Sequence, residues 1–106
     1  MQLSSIKTIT ELSRLNGRVY VHFATRELAH QFLQQAETEG FTFRDGVNPT
    51  SRGATEVMAV NPDHTINYVG TVGNIAYGSG ATLIGSKKLI RVRYLKPGVF
   101  LLERTV

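Results

Sequence analysis

The sequence predicts an α+β domain, a small, mostly antiparallel sheet with one or two helices packed on one face. Three observations carry this. Residues 26–39 follow the helical period, with Leu28, Ala29, Phe32, Leu33 and Ala36 on one stripe. Strand-period runs stand on both sides of that helix, at Arg18 to Ala24 and at Lys88 to Lys96. Between them, Asn61-Pro62-Asp63-His64 joins two β-rich runs, 55–60 and 65–72, at hairpin spacing.

Taken in order, Ile6, Ile9, Leu12 and Leu15 recur at three-residue steps, which predicts a short helix over 5–15. Ser4 or Ser5 would cap it and Asn16-Gly17 would stop it. In 18–24, Val19, Val21 and Phe23 alternate with Tyr20 and His22, as a half-buried strand requires. Thr25 then caps the long helix, Glu27 sits in its first turn, and Gly40 ends it. A short β-arm is predicted at 41–43, and the turn residues of 44–54 read as a loop. Residues 73–86 hold too many glycines for a helix or strand to be predicted. Ile90, Val92 and Tyr94 alternate with Arg91 and Arg93, giving a strand with a basic outer face. Pro97-Gly98 turns the chain into Val99-Phe100-Leu101-Leu102, a last strand or an apolar docking tail.

With 106 residues, 42% hydrophobic and 19% charged, the chain fits one domain, 1–106, that buries a core unaided. Without cysteine, disulfide frameworks and thiolate zinc sites are excluded. The N-terminal residues lack a charged segment followed by an apolar one, and no apolar run is long enough to span a bilayer. A soluble cytoplasmic protein is expected. His22, His30 and His64 lie on a strand, a helix and a turn, so no metal site is predicted. No nucleophile elbow or paired acid and base stands out, no cofactor signature is present, and a non-enzymatic protein is expected.

Charge is distributed unevenly. Residues 1–63 carry six basic and seven acidic side chains, whereas 64–106 carry six basic and one acidic. From 64 to 102 there is no acid, but there are Lys87, Lys88, Arg91, Arg93 and Lys96, behind glycines 70, 73, 78, 80 and 85. An anionic partner is expected. Arg91 and Arg93 share a strand face, where two guanidinium forks can clamp a phosphate, with Lys87 and Lys88 just upstream. The glycine loop could form a nest of backbone N–H groups, with Asn74, Tyr77, Gly78 and Ser79 contacting the ligand and Tyr77 stacking on a base. Neither a P-loop nor a dinucleotide fingerprint is matched. A flexible connection and a solvated strand face are the plain alternatives. Nucleic acid is the less favoured partner, because no known nucleic-acid motif is present. Four apolar residues at 99–102 suggest a homo-oligomer that covers them.

Val19-Tyr20-Val21-His22, the Thr25-capped helix closing at Gly40-Phe41, Asn67-Tyr68, and Tyr77-Gly78-Ser79 form a pattern over roughly 18–95. It resembles small proteins common in bacteriophage and mobile-element genomes. That resemblance implies an accessory protein acting by binding, either sequestering a nucleotide signal or docking on a host defence protein.

Overall fold

The computed structural model describes residues 5–103 in full and the backbone of Gln2–Leu3. Its strands are β1 (Gln2–Leu3), β2 (Arg18–Phe23), β3 (Thr42–Phe43), β4 (Val57–Val60), β5 (Thr65–Tyr68), β6 (Leu83–Ile84), β7 (Lys87–Lys96) and β8 (Val99–Glu103). Its helices are α1 (Ile9–Ser13), α2 (Arg26–Thr38) and α3 (Thr71–Gly78), with a single 3-10 turn at Pro49–Ser51. The chain is α+β. Strand order is β1-β8-β7-β2-β4-β5-β3, with β6 paired to β7. The β2–β7 and β3–β5 pairs are parallel and the others antiparallel, so the sheet is mixed.

Strand alternation splits the side chains between two faces. On one, Val19, Val21, Phe23, Met58, Val60, Ile66, Val92, Tyr94 and Phe100 form the main core with Ile9 and Leu12 of α1 and Phe32, Leu33 and Ala36 of α2. Phe32 touches the rings of Phe23 and Tyr94, and Tyr94 that of Phe100, at 4.9–5.5 Å between centroids. Such pairs add about 0.5–1.5 kcal/mol each beyond their burial. On the other face Tyr20, Val57, Ala59, Val69 and Leu89 form a smaller core beneath α3. With cover on both sides, β4 is buried at every residue, as its unbroken apolar sequence Val57-Met58-Ala59-Val60 allows.

Three sequence expectations change, and one of the two alternatives at 99–102 is decided. The first helix is shorter and is capped by Thr8: Glu11 N–H donates to Thr8 Oγ1 at 3.0 Å, and the Glu11 carboxylate accepts from Thr8 N–H at 3.2 Å. Ser5 lies ahead of this box, and Ser4 lies outside the described residues. Second, α1 and α2 pack on one face as expected, and a third helix, α3, covers the other. Third, residues 71–78 form α3 despite their glycines. Gly73 is placed for close packing, since a Cβ there would sit 3.0 Å from Val69 Cβ and 3.2 Å from the Tyr20 hydroxyl. At 99–102 the strand alternative holds, for the segment belongs to β8, paired with β7 and β1, with Phe100 fully buried. The apolar run that suggested assembly is used inside the fold.

Gln35 ties the elements together. Its Nε2 donates to Lys7 O at 3.2 Å and Glu39 Oε2 at 2.8 Å, while its Oε1 accepts from the Tyr94 hydroxyl at 2.8 Å and Gly98 N–H at 3.1 Å. Glu39 in turn accepts from Ile9 N–H at 3.0 Å and from Thr10 N–H and Oγ1 at 2.8 and 2.7 Å, which caps the start of α1. Partial burial opposes ionisation of Glu39, but the bonds from Ile9, Thr10 and Gln35 outweigh it and hold its pKa below the usual value. A depressed carboxyl pKa stabilises the fold at neutral pH, and the contribution disappears as pH falls through the folded-state value. Glu39→Ala is therefore expected to cost about 1–2 kcal/mol in urea unfolding at pH 7. The gap from the wild type should narrow below about pH 4, and a gap that stays constant with pH would contradict this role.

Candidate functional site

The residues that the sequence singled out divide between two ends of the sheet. At one end α3 crosses the second face, and its C-terminal carbonyls meet Arg91. Nε of Arg91 donates to Tyr77 O at 3.2 Å, and Nη2 donates to Ala76 O at 3.0 Å and Tyr77 O at 3.1 Å. Arg91 is only 7% exposed, and its guanidinium stands 5.4 Å from the centre of the Tyr77 ring. A guanidinium is a fixed fork of donors, and here that fork satisfies the Tyr77 carbonyl at the helix end and adds to the bonds that Ala76 O accepts from Ala81 N–H and the Ser79 hydroxyl. Arg91 holds α3 to the sheet and is not a free clamp for a ligand.

Arg93, next on the same strand face, pairs with Glu103 at 2.9 Å. Its strand neighbour His22 contacts Glu56 Oε1 through Nε2 at 3.0 Å and stacks on Tyr77 at 5.7 Å between centroids. Burial and the nearby Glu103 carboxylate push the Tyr77 hydroxyl up to about 12. Two arginines, two carboxylates, a histidine and a tyrosine thus compensate one another. Of the basic face expected over Arg91 and Arg93, α3 covers Arg91, while Arg93 is half-exposed and paired with Glu103. Within α3, Asn74 Nδ2 donates back to Gly70 O at 3.2 Å, and Ser79 N–H bonds Ile75 O at 2.9 Å. Gly78 and Ser79 end the helix, so these positions form a helix terminus and not a nest loop.

The opposite end differs. Residues Gly17, Arg18, Arg44, Val60, Asn61, Pro62, Asp63 and Lys87 line a cleft of about 260 Å³. Arg18 is the first residue of β2 and Lys87 the first of β7, and in a parallel pair both starts fall at the same end of the sheet. Arg44 follows β3, which runs parallel to β5. The β4–β5 connection supplies Asn61 to Asp63. Gly17 makes the junction possible: at φ +156 a Cβ would sit 2.6 Å from Lys88 O, so only glycine lets the chain entering β2 pass this close to β7.

Arg18, Arg44 and Lys87 are all exposed, and among the described residues none of them has an ion pair or side-chain hydrogen bond. Asp63 is the single acid of the lining, and its Oδ1 accepts from Thr65 Oγ1. Asn61 is 6% exposed, and its Nδ2 donates to Thr65 Oγ1 at 3.1 Å and Asn67 Oδ1 at 2.7 Å. Three cations facing one recess with one acid produce a net positive field, focused by the low-dielectric walls. Of the residues singled out by sequence, Lys87 alone reaches this cleft. Lys88 lies beside it in the β6–β7 hairpin, opposite Leu83. Arg18, Arg44, Asn61 and Asp63 were missed. No local spacing unites them, and Asp63 reads from sequence as turn chemistry.

Among the described residues no group of three or more His, Asp or Glu side chains is placed to hold a metal ion, and no helix is long and apolar enough to cross a membrane. No protein-family profile, curated protein or solved structure matches the chain.

Arg91→Met keeps the aliphatic stem but strands the carbonyl of Tyr77. It is expected to lower stability by about 1–3 kcal/mol in denaturant unfolding. Arg93→Ala, which removes a half-exposed side chain from its pair with Glu103, should change it by less than about 1 kcal/mol. Equal effects of the two substitutions would contradict the helix-anchoring role of Arg91.

Proposed function

We propose that this chain is a non-enzymatic binding protein for a small anion of the phosphate-bearing, nucleotide class, held in the cleft between the starts of β2 and β7. The observation that carries the reading is the convergence there of Arg18, Arg44 and Lys87, each without an acidic partner among the described residues. By contrast, Arg52 pairs with Asp45, Arg93 with Glu103, and Arg91 is bound to the end of α3. A planar guanidinium matches two phosphate oxygens at once, and a lysine adds a compact third charge. The size is suited to a phosphate and the group that carries it, since 260 Å³ falls below the roughly 300–1,000 Å³ of sites that enclose larger ligands. In the accessory role that the resemblance implies, capture would sequester a nucleotide signal.

Three exposed charge-assisted contacts, at about 1.5 kcal/mol each, correspond to a Kd for inorganic phosphate on the order of 1 mM at low salt. Calorimetry should show each of Arg18→Ala, Arg44→Ala and Lys87→Ala weakening binding by roughly tenfold, and the triple variant should give no heat. Affinity should also fall with added salt. Phosphate binding that survives the triple variant, or none by the wild type, would overturn the reading.

A second reading, docking on a partner protein, is favoured by one separate observation. Val72 and Ile75 on the outer side of α3 are 76% and 64% exposed, and Leu83 is 58% exposed. Apolar side chains displayed on an anchored helix suit a protein contact. Val72→Asp with Ile75→Asp should abolish capture of a host protein while leaving phosphate binding intact, and capture that persists would remove this reading.

A further inference from the structure

A cleft built only to hold phosphate has no use for a carboxylate. Asp63 nevertheless lines this one, and its charge opposes a bare anion. Its Oδ1 is occupied by the Thr65 hydroxyl, while its Oδ2 makes no hydrogen bond among the described residues.

Asn61 beside it is oriented by a chain of bonds. Asn67 Nδ2 donates to Tyr68 O at 2.8 Å, which leaves Asn67 Oδ1 as an acceptor, and Thr65 Oγ1 spends its proton on Asp63. Both neighbours therefore require a donor from Asn61, and its Nδ2 supplies both bonds. That leaves the Asn61 side-chain oxygen, Oδ1, as the other end of the amide, with no hydrogen-bond partner among the described residues. The lining thus carries three cationic donors and two acceptors without a hydrogen bond among the described residues.

Resting on the binding reading above, we infer that the cleft selects a ribose phosphate, the phosphate taken by Arg18, Arg44 and Lys87 and the vicinal hydroxyls donating to Asp63 and Asn61. A carboxylate that accepts from a ribose hydroxyl is an established way of recognising ribonucleotides. A hydroxyl pair is also the donor group that a compact phosphate ester brings nearest to its own charge. Asp63 then penalises inorganic phosphate and rewards the ester, so discrimination arises from repulsion and attraction together.

Calorimetry with inorganic phosphate, adenosine monophosphate and its 2′-deoxy analogue tests this on the wild type and on Asp63→Asn. The amide oxygen introduced by that substitution still accepts from Thr65, and a thermal melt of the variant verifies that the turn is kept. The wild type is expected to bind the ribonucleotide roughly tenfold more tightly than the deoxy analogue, the weight of one hydrogen bond to a charged group. In Asp63→Asn that ratio should collapse towards one, while binding of inorganic phosphate strengthens by several-fold as the repulsive charge is removed. Equal binding of the two nucleotides by the wild type, or a ratio unchanged in Asp63→Asn, overturns the inference. In either of those cases phosphate binding that still depends on Arg18, Arg44 and Lys87 leaves the anion-binding reading intact. Absence of binding by all three ligands removes both.

Discussion

The parallel pairing of β2 with β7 is the constraint on which the rest of the molecule depends. It joins the strand that feeds α2 to the strand that follows α3, so elements from both halves of the sequence meet at the centre of one sheet. Because both strands start at the same end, Arg18 and Lys87 come together there, and His22 and Arg93 come together at the other end. The same pairing sets the faces, with Val19, Val21, Ile90, Val92 and Tyr94 directed to α1 and α2 and Tyr20, Leu89 and Arg91 directed to α3. A shift by one residue would exchange these sets and bury the arginines among aromatic rings.

The two ends of the sheet use positive charge differently. Under α3, cations work within the fold, for Arg91 satisfies helix carbonyls and Arg93 a carboxylate, and little net field is left for a ligand. A buried arginine of this kind is costly to remove because the groups it satisfies would be stranded without water. At the start of the strands Arg18, Arg44 and Lys87 are exposed and have no ion pair among the described residues, and their mutual repulsion would be relieved by a bound anion. Charge that the fold does not use for itself is what supports the proposal of a binding surface at the second end.

Much of this was legible in the sequence. Helix α2, strands β2 and β7 and the β4–β5 hairpin follow from hydrophobic period and turn residues, because each buries one face and so must keep its pattern. Helix α3 was not legible. Its glycines lower intrinsic helix propensity by about 1 kcal/mol each. What restores the helix is tertiary: Gly73 lies against Tyr20, and Arg91 receives the terminal carbonyls. The same arginine was legible as a cation on a strand face, but its neighbour across space was not. The cleft shows this limit most clearly, since Arg18, Arg44, Asp63 and Lys87 belong to four separate segments that only the mixed sheet topology assembles.

The most direct measurement of the central claim is a map of backbone and guanidinium NMR shifts as phosphate is added to the isotope-labelled chain. Shifts are expected to saturate together at Gly17, Arg18, Arg44, Asn61, Asp63 and Lys87, with those of Asn74, Tyr77, Arg91 and Arg93 unmoved. Shifts concentrated at the end of α3 and on Arg91 and Arg93, with the cleft silent, would contradict the account.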